Sequence, residues 1–215
     1  MIPGPDKVIE CPQCGTLARV FTLVSGNTFG ARNWSDGKSE APMLPRRPKV
    51  SRCLNCSHYY WVSNAKIVGE VETIGGPDLG VDPTWLKAPM VEEPSFTEYL
   101  EAIELGLAKT TEEEEFLRVM AWWRDNDRYR ENPEEHSLGP SGRSPESDAN
   151  LRRLLSVFRD DTWQGDIMKS EIYRQSGDFD QAISLLENLP TEAPEEVVSR
   201  LQGLAMESNP KVVEL

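Results

Sequence analysis

Four cysteines carry the clearest site chemistry in this sequence, and they fall in two pairs, Cys11-Pro12-Gln13-Cys14 and Cys53-Leu54-Asn55-Cys56. A two-residue spacer lets both sulfurs of a tight turn point at one ion while backbone N–H groups donate to the sulfurs. Two such turns brought together offer four thiolates, the closed tetrahedral set of a structural Zn²⁺. Gly15 follows the first pair and suits the positive φ that such a turn needs. His58, just after the second pair, could replace a thiolate, but with four cysteines present it reads better as a packed or solvent-facing strand residue. The chain has only two histidines, His58 and His136. An open, His- and Glu-rich catalytic zinc site is therefore not expected.

Other fates of the cysteines fit less well. Disulfides are disfavoured in a reducing compartment. A redox dithiol would open a helix after a strand, and neither pair is followed by a helical pattern. The separation is unusual: 38 residues lie between Cys14 and Cys53, against about 15–20 in common zinc sites of this spacing.

The elements that must position the sulfurs read as strands. "TLARVFTLV" follows the first pair and "HYYWVSNAKIVGEV" the second, and both are rich in β-branched and aromatic residues. A zinc ribbon over residues 1–72 is the expected arrangement. Between the pairs, residues 26–50 mix turn formers with apolar residues. Asp36-Gly37 fits a tight turn, and "APMLPRRP" is extended. Phe29, Trp34, Met43 and Leu44 are candidate apolar anchors. Two readings stand side by side. In one, the loop braces a small domain with little core. In the other, Arg32, Trp34, Asp36, Lys38, Arg46 and Arg47 form a recognition surface, able to clamp single-stranded nucleic acid or to dock the chain's own acidic half.

That acidic half begins after a Gly- and Pro-rich linker, residues 73–94. Residues 1–94 hold ten Lys/Arg and ten Asp/Glu, whereas residues 95–215 hold thirteen and twenty-six, so the net charge of −13 resides in the second part. This disfavours nucleic acid as the main partner of the whole chain. A helical hairpin is expected over 95–131. Ser95 with Glu98 and Thr111 with Glu114 form capping-box patterns, and Gly106 is a stop. Phe116, Met120 and Trp123 should line one face of the second helix. Residues 132–147 read as a flexible linker containing a solvated His136.

Residues 148–210 return to helical spacing, with Leu151, Leu154, Leu155 and Phe158, then Val197, Leu201 and Leu204. Between them, "DIMKSEIYRQSGDFDQAISLLENLP" resembles a tetratricopeptide (TPR) repeat in the order of Ser170, Tyr173, Gly177, Phe179, Ala182 and Pro190. The resemblance implies two antiparallel helices packed around small residues. It covers one copy, without the Trp and Leu usual early in the first helix, whereas such solenoids stack three or more. Taken whole, the chain resembles a group of uncharacterised bacterial proteins. These join two Cys-x-x-Cys pairs, a "WSDGK…APMLP" loop and a TPR-like C-terminus.

No phosphate-binding loop, nucleophile elbow or paired-histidine motif occurs. No run approaches the roughly 20 apolar residues of a membrane span, and the N-terminus lacks the basic and apolar regions of a secretory signal. The expectation is therefore an α+β protein, with a small β-rich zinc ribbon followed by an all-α TPR-like region. Its expected role is that of a cytoplasmic zinc-binding adaptor, without an evident catalytic site, for a protein partner, a basic one suiting the acidic helices. The alternative is an RNA-binding ribbon using Arg32, Trp34, Lys38, Arg46 and Arg47.

Overall fold

The residues flanking the first cysteine pair form two strands that pair across it. In the computed structural model, which describes residues 1–72, 81–131, 143–159 and 161–215, β1 (Ile2–Glu10) and β2 (Leu17–Ser25) run antiparallel on either side of Cys11–Cys14. The N-terminal strand is not expected from local preference, because Pro3, Gly4 and Pro5 read as breakers. The sheet accommodates them with register shifts at Ile2/Pro3 and Gly4/Lys7, as strands commonly do at bulges. A second hairpin, β5 (Val50–Arg52) with β6 (Tyr59–Trp61), flanks the second pair; β3 (Arg32–Asn33) and β4 (Ser39–Glu40) are two-residue strands in the loop before it. The expected strand after that pair is broken: a 3₁₀ turn at Val62–Asn64 separates β6 from β7 (Lys66–Val71), which joins the sheet in the order β2-β1-β7. Ile9, Val20, Tyr60 and Ala65 close the core together with Cys11 and Cys53.

The expected 73–94 linker includes a short helix, α1 (Pro83–Lys87), capped by the Asp82 carboxylate. Residues 73–80 lie outside the described residues, as do His136 and the segment 132–142.

The second compact unit is helical. Its elements are α2 (Phe96–Glu104), α3 (Thr111–Glu131), α4 (Pro145–Val157), α5 (Trp163–Gln175), α6 (Phe179–Glu187) and α7 (Glu195–Met206). The Ser95/Glu98 capping box forms as the sequence suggests. The second box sits one residue earlier than expected. Thr110 Oγ1 accepts from Glu113 N at 3.2 Å, and Glu113 accepts from Lys109 N and Thr110 N. Glu114 instead binds Arg118 and Arg153, tying α3 to α4. The inward face of α3 is also rotated from expectation. Leu117, Met120, Ala121 and Trp122 are buried, while Phe116 and Trp123 are only partly so. Trp122 packs with Leu151, Leu154, Val157 and Ile172. Part of the expected 132–147 linker is helix, since α4 starts at Pro145 behind the Ser144 cap. In the α5–α6 hairpin, Gly177 takes φ 84° at the turn, and Ser170 and Ala182 are buried.

The two compact units do not follow the chain in simple order. One is Met1–Ala31 with Glu40–Pro94; the other is Arg32–Ser39 with Ser95–Leu215. The middle of the loop between the cysteine pairs thus belongs to the helical unit.

Candidate metal centre

Each cysteine pair is held by the same backbone turn. Gly15 N donates to Cys11 O and Cys11 N to Thr16 O; in the second turn, Ser57 N donates to Cys53 O and Cys53 N to His58 O, all at 2.9 Å. The residue after each pair has positive φ, 71° at Gly15 and 60° at Ser57. The second is a cost that a non-glycine residue bears in this region. The first sulfur of each pair faces the core and the second faces solvent: Cys11 and Cys53 are buried, Cys14 and Cys56 exposed.

The two turns bring all four Sγ atoms within 4.8 Å of one another. Cys11 Sγ lies 3.8 Å from Cys56 Sγ, and Cys14 Sγ lies 3.6 Å from Cys53 Sγ. Four sulfurs at the Zn–S distance of about 2.3 Å in a tetrahedron are about 3.8 Å apart, so the spacing fits Zn²⁺. It is too long for disulfides, and all four thiols are free. The Thr16 hydroxyl, 3.2 Å away, and the Asn55 amide pull the Cys14 thiol down to about 5. Burial pushes Cys11 up. A backbone N–H at His58 favours the Cys56 thiolate, yet desolvation and the neighbouring sulfurs push that thiol up to about 12. Four sulfurs this close cannot all ionise without a cation among them, and a divalent metal at this site would supply that charge. His58 is exposed and outside the cluster; it contributes its carbonyl to the turn.

The other residues singled out in the loop have separate destinations. Trp34 and Asp36 are buried in the helical unit. Trp34 packs with Tyr129 and Val212, under the guanidinium groups of Arg32 and Arg130 at 4.6 and 5.1 Å from its ring. Asp36 accepts from Asn126 Nδ2 at 2.7 Å and from the Arg130 guanidinium, and its carbonyl accepts from Trp123 Nε1 at 2.8 Å. Burial pushes its carboxyl above the ordinary range, against the Arg130 charge. Lys38 pairs with Asp127 at 2.5 Å and Arg32 with Glu214 at 2.8 Å. Only Arg46 and Arg47 of the six stand exposed in the β unit. Of the four expected apolar anchors, Trp34 alone is buried. Phe29 is 82% exposed, and Met43 and Leu44 are also exposed.

Sequence reasoning does not find the polar interior that the loop enters. Glu171 is fully buried and accepts from Ser35 Oγ, Arg174 Nη2 and Gln175 Nε2, each at 2.6 Å. Arg174 also donates to the carbonyl of Lys211 at 2.8 Å and to that of Asn209. Arg143 reaches Asp125 at 2.6 Å and Asn126 at 2.7 Å, and also bonds Gln175. The one signal in the sequence is the i,i+3 spacing of Glu171 and Arg174, which a solvated helix face shows equally often. Comparison of the chain with protein-family models, with curated proteins and with solved structures finds no match in any of the three.

Proposed function

We propose that this chain is a zinc-stabilised interaction protein rather than a catalyst. The observation that carries the reading is the cluster of four Sγ atoms within 4.8 Å on two like-shaped turns. Four thiolates saturate a tetrahedral ion and leave no position for substrate or water. The metal then contributes to folding, since a β unit of this size has little core of its own.

The partner surface we assign to the helical unit. That unit holds 15 Lys/Arg against 27 Asp/Glu. A groove of about 350 Å³ is lined by Leu100, Ile103 and Ala149, with Glu104 and Glu146 also in its wall. Arg118 and Arg153 in the same wall are engaged by Glu114. An amphipathic basic helix suits such a groove. The groove lies on α2, α3 and α4 rather than on the α5–α6 hairpin that the TPR resemblance singles out.

The test has two arms. Elemental analysis of chain purified without chelator should find one zinc, lost in the Cys11→Ser/Cys14→Ser variant; less than half an equivalent refutes the metal assignment. Titration with Lys- and Arg-rich amphipathic peptides should show saturable binding that Leu100→Glu abolishes. Absence of binding to every such peptide refutes the adaptor assignment and leaves the metal centre intact.

A further inference from the structure

The β unit carries a basic groove that the helical-unit reading does not use. Residues 41–69 contain five Lys/Arg and no carboxylate, although the chain as a whole is acidic. Within this stretch the exposed Arg46, Arg47 and Lys49 lie beside Val20, Trp61 and Val62 around a groove of about 490 Å³. The arrangement is held in place: Val62 N donates to Lys49 O at 2.8 Å, and Val50 pairs with Trp61 across β5 and β6. Pro48 stiffens the strand entry between Arg47 and Lys49. Three cations therefore line a groove with an aromatic and aliphatic floor, the backbone of Lys49 being anchored to Val62.

We propose that this groove binds single-stranded nucleic acid, with phosphates on Arg46, Arg47 and Lys49 and a base stacked on Trp61. Phosphate contacts require local positive charge, which this groove has. A flat indole beside arginines accepts any base by stacking, and this favours nucleic acid over an acidic peptide, which would engage the cations alone. The residue set differs from the one the sequence suggests, because Arg32, Trp34 and Lys38 are committed to the helical unit.

The experiment is fluorescence anisotropy of the full, zinc-loaded chain with labelled oligo-uridine and oligo-thymidine of about twelve nucleotides. Three phosphate contacts predict that affinity falls about tenfold to twentyfold between about 50 and 200 mM salt. Arg46→Glu/Arg47→Glu should weaken binding at least about tenfold, and Trp61→Leu about fivefold to hundredfold. Zinc content and circular dichroism must stay unchanged in each variant. If Trp61→Leu misfolds, the exposed Arg47→Glu single variant carries the test. No saturable signal at low salt, or equal affinity in the charge-reversed variants, overturns the proposal. An oligo-glutamate peptide competing as well as the oligonucleotides also overturns it, in favour of an acidic protein partner.

Discussion

At the residue scale, two kinds of buried polar group have different consequences. The Glu171–Arg174 pair sits in the interior, with both side chains almost wholly buried. Desolvating two ions offsets most of their attraction, so the intact pair adds little net stability, whereas removing one partner strands a buried charge. Glu171→Leu should therefore cost about 3–5 kcal/mol, and adding Arg174→Met should recover much of it; chemical denaturation followed by circular dichroism checks both. Equal losses in the single and double variants would contradict this account. The cysteine turns supply a second contrast. Gly15→Ala forces a side chain into positive φ and should cost about 1–2 kcal/mol, while Ser57→Gly relieves the same strain and should stabilise the zinc-loaded β unit. Thermal unfolding of the metal-loaded protein distinguishes them by the sign of the Tm shift.

At the scale of the elements, helix ends decide where α3 begins and how it meets α4. Thr110 is the cap, so Thr110→Ala should cost about 1 kcal/mol and Thr111→Ala much less; denaturant midpoints measured side by side would show it. The Arg153 side chain beside Glu114, with Arg118, holds the Glu114 carboxyl down to about 2. A depressed carboxylate contributes stability above its unfolded value of about 4.3 and loses it as pH falls toward the folded value. The α3–α4 contact should therefore weaken between about pH 4.5 and 2, by no more than about 1 kcal/mol because Arg153 is solvent-exposed. Glu114→Gln should flatten the stability profile in that window, lowering stability by up to that amount near neutrality and changing it little near pH 2.

At the scale of the whole molecule, the chain between the two cysteine pairs serves both units. Its ends build the sulfur cluster, and Arg32–Ser39 completes the helical unit. There Ser35 exchanges hydrogen bonds with the C-terminal residues: Ser35 N donates to Val213 O at 2.8 Å, and Val213 N donates to Ser35 Oγ at 3.1 Å. Gly37 is required for its φ of 77°, and an added Cβ would also displace the flexible end of Met168, whose Sδ would lie 2.8 Å away. Trp34→Ala should empty the Tyr129–Val212 cluster and lower the stability of the helical unit by about 3–5 kcal/mol. Helical circular dichroism should register the loss while zinc stoichiometry stays at one. Loss of zinc with helicity intact would assign Trp34 to the metal unit instead.

Short-range features are legible in the sequence. The two Cys-x-x-Cys turns, the strand after Cys14, the Ser95/Glu98 cap, the Gly106 stop and the helical spacing of Val197, Leu201 and Leu204 in α7 all depend on residues within a few positions of one another, where spacing and backbone preference suffice. The Thr110 cap is not legible, because two overlapping Thr-x-x-Glu frames offer the same local chemistry and packing of α3 selects between them. The destination of "WSDGK" is a different matter. Asp36 meets Asn126 and Arg130 90 and 94 residues later, and Ser35 meets Glu171 136 residues later. Nothing local to the loop distinguishes a basic recognition surface from a plug for a distant polar interior. The sequence by itself determined the sulfur spacing and both ends of α2. Only the tertiary structure decided that Trp34 and Asp36 are interior residues, because the groups that satisfy them come together only when the helices pack.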